Sequence, residues 1–150
     1  MILRENFAPT QVGSKALARN KKSKSGAAAV EFALVAPFLI VLLWGIVSYG
    51  GYFMTVHTLQ QIANDAARAA IAGLDDDERL ALARDTVKRQ ALAYLGAEPS
   101  PVVALSNDGR LIRIDVQYDA SKNPYWVFGT LFPMPSSNIS RSGAVLMGGF

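Results

Sequence analysis

Three residues near the start of the chain carry its most specific chemistry. They are Gly26, Ala27 and Glu31, in the stretch Gly-Ala-Ala-Ala-Val-Glu-Phe. A cut between Gly26 and Ala27 would leave a free amine four residues before the Glu31 carboxylate. Residues four apart share one face of a helix. An ammonium and a carboxylate in a low-dielectric medium offset part of each other's burial cost. The amine could belong to the same chain or to a neighbour, and in the second case Glu31 would pin the register of an assembly. Without a cut, Glu31 is an acid that must snorkel to the inner membrane interface.

Few other residues invite chemistry. Asp75-Asp76-Asp77-Glu78 is an acidic run, but it lacks the alternating ligands and central glycine of an EF-hand loop. Asp75 reads instead as a helix N-cap, with Glu78 at capping-box spacing. The single histidine, His57, leaves no second imidazole for a catalytic set, and no cysteine is present for a thiolate metal site. Nucleophile-elbow, phosphate-loop, dinucleotide and zinc-protease motifs do not occur. Asn138-Ile139-Ser140 matches a glycosylation sequon, a tripeptide common by chance. The reading is of a protein that is not an enzyme, with no cofactor and no metal.

The elements that must position Gly26, Ala27 and Glu31 follow from hydropathy. From Ala27 to about Met54 the only charge is Glu31. About 20 apolar residues suffice to cross a bilayer core as a helix. The run is too long for a signal-peptide core and no A-x-A site follows it promptly, so it reads as a retained anchor. Pro37 lies inside it and removes one amide, which predicts a kink or a loosened turn near Ala33. Tyr49 and Tyr52 suit the outer interface, with Trp44 deeper. Before Gly26, six basic residues stand against Glu5, a charge of +5, while the rest of the chain carries −2. The positive-inside rule keeps such a flank cytoplasmic and sends the body to the periplasm. The basic arm lacks interleaved aromatics, which argues against nucleic acid.

Beyond the membrane, Val56, Leu59, Ala63, Ala66 and Ala70 recur at helical spacing, and Gly73 is a natural stop. A second helix is predicted from Asp76, with Leu80, Ala83, Val87, Ala91 and Tyr94 on one face. Asn107-Asp108-Gly109 signals a hairpin between two strands. Ile112, Ile114, Val116 and Tyr118 alternate with polar residues as a half-buried strand does, and a third strand fits Ser140 to Met147. Lys122 to Pro135 reads as a loop whose aromatic residues Tyr125, Trp126, Phe128 and Phe132 fold over the sheet or offer a partner surface. The expected fold class is α+β: a long N-terminal transmembrane helix, a second helix and a small three-stranded antiparallel sheet. The expected domains are a basic leader over 1–26, a transmembrane helix over 27–54 and a periplasmic domain over 55–150. Within that domain the helix continues over 55–73, the second helix covers 76–95 and the sheet covers 101–147.

The basic leader ending in Gly26, Glu31 five residues later, then Phe32 and a long apolar helix resemble the class III signal of type IV prepilins. The wording GAAAVEFALVAPFLIVLLWGIVSYG and the continuation ANDAARAAIAG are similar to TadE-like proteins of the tight-adherence (Tad/Flp) pilus. The resemblance covers about residues 25 to 73. It implies a minor pilin or pseudopilin of the inner membrane, cut after Gly26 by a prepilin peptidase, with Glu31 needed for processing or assembly. It also implies other pilin-like subunits and the Tad secretion machinery as partners, incorporation in or at the base of a pilus, and support of adherence and biofilm formation. Ala27 stands where type IV pilins commonly place Phe, so N-methylation does not carry over. The body is far longer than the short major Flp pilin, which favours a minor component. The alternative is an uncleaved single-pass anchor carrying a small periplasmic binding domain.

Overall fold

A computed structural model describes residues 22–96, 100–128 and 133–148. The expected leader lies largely outside these residues, as does Phe132. The order of elements is helix α1 (Lys22–Ala70), helix α2 (Asp76–Leu95), strand β1 (Val102–Asn107), strand β2 (Leu111–Asp119), a 3-10 turn (Pro124–Phe128) and strand β3 (Asn138–Leu146). The class is α+β, as the sequence leads one to expect. The chain divides into two units at Phe38 and Leu39.

In the first unit the described residues are all helical, and the helix runs through Pro37. Its large side chains, among them Val30, Phe32, Leu34, Val35 and Phe38, are exposed. Apolar residues all round a helix with nothing covering them mark a surface built for lipid or for another helix.

The second unit is two layers. Strands run in the order β1-β2-β3, antiparallel throughout. The register sets Val116 opposite Val103 and Arg141, Ile114 opposite Leu105 and Gly143, and Tyr118 opposite Ile139. Period two puts these residues on one face. Val103, Ile112, Ile114, Val116, Tyr118 and Ile139 are buried there. Leu59, Ile62, Ala63, Ala66, Ala67 and Ala70 from α1, and Ala83, Val87 and Ala91 from α2, complete the same core. Tyr94 departs from the expected face of α2: it is 71% exposed, and Leu95, four residues after Ala91, packs against the core in its place.

Alanine on α1 lets the strand approach closely. At Gly143 the gap is tight enough that a Cβ atom would lie 2.2 Å from the carbonyl oxygen of Ala63. The Gln60 side chain closes the same contact, its Nε2 donating to the Ser142 carbonyl at 2.9 Å.

Helix α1 ends at Ala70, before the expected Gly73. The amides of Ile71, Ala72 and Gly73 instead bond three residues back, to Arg68, Ala69 and Ala70, the tightened last turn that satisfies terminal carbonyls. Gly73 is needed for closeness: a Cβ there would meet the Arg79 amide nitrogen at 2.6 Å. Gly96 closes α2 in the left-handed conformation, φ 56°, its amide donating to the Ala91 carbonyl.

Candidate functional site

Gly26, Ala27 and Glu31 all lie on α1 and all are exposed. Around Gly26 there is open space: a Cβ would meet nothing within 4 Å. The Gly26–Ala27 peptide bond is therefore accessible but helical. Glycine inside a helix costs about 1 kcal/mol relative to alanine, so this is an inexpensive place to unwind the chain for a protease. Ala27 and Glu31 stand one turn apart on the same face. Among the described residues Glu31 forms no ion pair. The exposed carboxylate is placed where a cation supplied by a new N-terminus or by another chain could meet it.

The acidic run has a different occupation. Asp75 is the N-cap of α2, its Oδ1 accepting from the Glu78 amide at 2.8 Å, and Glu78 accepts from the Leu74 amide at 2.7 Å. Asp76 accepts from Asn107 Nδ2 at 2.8 Å and from Arg79 at 2.9 Å. The Asn107 bond first, and then the Arg79 guanidinium, hold the Asp76 carboxyl below the ordinary carboxylate range. These contacts tie the β1–β2 turn to the start of α2. Asp108 shapes that turn by accepting from the amides of Arg110 and Leu111 at 3.0 and 2.7 Å, which also lowers its pKa. Among the described residues no group of three or more His, Cys, Asp or Glu side chains could hold a metal ion. His57 is exposed on α1.

A polar cleft of about 410 Å³ runs between α1 and α2, lined by Thr58, Asn64, Asp65, Arg68, Gln90 and Tyr94 among others. Its floor is a structural bond, Gln90 Nε2 to Asp65 Oδ2 at 3.1 Å.

A set of contacts that sequence reasoning missed forms a clasp on α1. The Tyr125 hydroxyl donates to Thr55 Oγ1 at 2.9 Å and accepts from Asn123 Nδ2 at 2.8 Å. Asn123 Oδ1 accepts from the Tyr118 hydroxyl at 2.9 Å, and Thr55 Oγ1 donates to the Gly51 carbonyl at 3.0 Å. The Tyr125 ring lies on Gly51, where a Cβ would come within 2.7 Å of it. Burial raises the Tyr118 phenol pKa, partly countered by its bond to Asn123. Of the two expectations for this loop, Tyr125 and Trp126 follow the folded one, packing against the core, with Tyr125 also lying on the helix. No spacing rule links residues seventy apart, so only the small Gly51 hinted at a close neighbour.

No curated protein and no solved structure is detectably similar to the chain. A family model described as TadE-like protein matches residues 26–68. These residues include the Gly26, Ala27 and Glu31 constellation and a helix long and apolar enough to cross a membrane. Over residues 26–68 the chain is similar to TadE-like proteins.

Proposed function

We propose that the protein is a minor pilin or pseudopilin-like component of the tight-adherence (Tad/Flp) pilus, with a structural and not an enzymatic role in assembly, adherence and biofilm formation. Its basic flank stays in the cytoplasm and its α+β domain faces the periplasm. A prepilin peptidase removes the leader after Gly26. The Ala27 ammonium then pairs with a Glu31 carboxylate, its own or that of a neighbouring pilin-like subunit, as the helix leaves lipid for a helical bundle in contact with the Tad machinery.

One observation carries this reading. The one acid of the apolar stretch from Ala27 to Met54 stands one turn from the residue that becomes the N-terminus, and it has no ion-pair partner among the described residues. A charge so placed is costly unless it is matched.

Mass spectrometry of the N-terminus of the membrane-extracted protein tests it, in cells with and without the prepilin peptidase. A start at Ala27 that depends on the peptidase supports the proposal. An intact leader in cells with active peptidase overturns it and leaves a simple membrane anchor.

A further inference from the structure

Helix α1 changes surroundings between Val47 and His57. Ile46 and Val47 are exposed and apolar, whereas His57 and Gln61 are exposed and polar. At 1.5 Å per residue those ten positions span about 15 Å. A lipid headgroup layer is roughly 6 Å deep on each side of the hydrocarbon. If α1 spans a bilayer, that layer must fall on residues 48–56.

This is the stretch on which the loop rests. The Tyr49 hydroxyl donates to the Pro133 carbonyl. Tyr125 covers Gly51 and bonds Thr55. Ser48 and Thr55 are themselves buried, so the domain reaches down the helix to this level. The end of α2 arrives there too: Leu95 and Tyr94 line a groove with Gly51, Met54, Thr55 and Pro124. Met54 and Tyr94 expose more than two thirds of their surface.

We propose that the turn at Pro124–Trp126, with Pro133, Met54 and Tyr94 beside it, is a lipid-contact rim that rests in the headgroup layer of the outer leaflet. The surface is continuous with the exposed apolar face of α1, and its residue types suit that layer. An exposed tyrosine such as Tyr94 places an apolar ring against acyl chains and its hydroxyl among headgroups, while Tyr125 and Trp126, partly buried against the core, back the rim from the protein side. Lys122, exposed on the adjoining turn, can reach lipid phosphate while its stem stays on apolar surface. The rim holds the domain against the membrane before any assembly step and must be lifted off when the helix is extracted. It rests on α1 spanning the membrane, and not on cleavage after Gly26.

The chain has two tryptophans, Trp44 and Trp126, which makes the test direct. The full chain is placed in vesicles of phosphatidylcholine and phosphatidylglycerol. Trp44→Phe leaves Trp126 as the reporter, and Trp126→Phe leaves Trp44 as a control for insertion. Quenching is compared for a nitroxide on the lipid headgroup, bromine deep in the acyl chain, and aqueous iodide.

The rim predicts that Trp126 is quenched several-fold more by the headgroup nitroxide than by deep bromine or iodide. Trp44 should respond chiefly to bromine. Strong iodide quenching of Trp126 without nitroxide quenching would overturn the proposal. So would protection from all three quenchers, which would show that protein, its own core or a neighbouring subunit, and not lipid covers Trp126. Trp44 quenched by iodide alone would show that α1 does not span, and the rim would fall with it. Tyr94→Ser keeps the fold and should reduce headgroup quenching of Trp126, whereas an unchanged value would remove Tyr94 from the rim.

Discussion

Replacing Gly143 with alanine tests the packing that holds β3 on α1. The added Cβ would stand 2.2 Å from the Ala63 carbonyl oxygen, 2.5 Å from its carbon and 2.7 Å from the Asn64 nitrogen. All three are main-chain atoms, so no side-chain rotation relieves them. Relief needs the helix and strand to separate by nearly an ångström. A gap of that size forfeits a quarter to a half of each dispersion contact along the seam, where Leu59, Ile62 and Ala66 are fully buried. Overpacking of this kind costs about 1–3 kcal/mol. Against it stands a gain of about 0.4–1 kcal/mol from the less flexible unfolded chain. The net is destabilising, and each kcal/mol lowers the melting temperature of a domain this size by about 4–8 °C. Circular dichroism melts of the detergent-purified chain measure it, with Gly148→Ala as control because its Cβ meets nothing within 4 Å. Adding Ala63→Gly should give no rescue, because the obstacle is backbone. A Gly143→Ala protein as stable as the parent would refute the close approach of β3 to α1.

Asp75→Ala removes the α2 cap and should cost about 1 kcal/mol, read as a lower urea midpoint. Tyr125→Phe breaks the clasp between Asn123 and Thr55 and should cost about 1–2 kcal/mol, with faster proteolysis near residues 120–126 as a second readout. The lowered pKa values of Asp76, Asp108 and Asp119 give stability that is complete above the ordinary carboxylate value and is lost as pH falls through the folded values. Melting temperature should therefore hold from neutral pH to about 5 and drop below about 4, and Asp108→Asn should flatten that drop. At the other end, the raised Tyr118 pKa gives stability complete below the ordinary phenol value and lost as pH rises through the folded one. Glu31→Gln should leave the melt unchanged, since Glu31 is exposed, while reducing recovery of the protein in sheared pilus fractions; normal recovery would remove Glu31 from assembly.

Local signals in the sequence determined a good deal. A helix of membrane length needs only a run of apolar residues, and that run is continuous from Ala27. The α2 cap needs only an Asp and a Glu three apart; Asp75 accepts from the Glu78 amide as expected, while the Glu78 carboxylate reaches one residue further, to the Leu74 amide. The β1–β2 turn needs Asn107-Asp108-Gly109, and Gly109 takes φ 84° there. The alternation of Ile112, Ile114, Val116 and Tyr118 named the buried face of β2 without any partner in view. The shared face of Ala27 and Glu31 was likewise readable, because residues four apart on a helix share a face whatever surrounds them.

Only the tertiary structure decided what lies across space. The match of Gly143 to Ala63, the bond of Asn107 to Asp76, and the clasp from Tyr118 through Asn123 and Tyr125 to Thr55 join residues 31 to 80 positions apart, or link them through intermediates. Such contacts depend on how two faces dock, and neither face encodes the other in its spacing. Tyr94 shows the same limit: its helical phase put it with Ala91, but Leu95 meets the core in its place and Tyr94 is exposed. Period fixes the direction of a side chain about the helix axis to within a residue or so; which of two neighbours is buried depends on where the docked element lies.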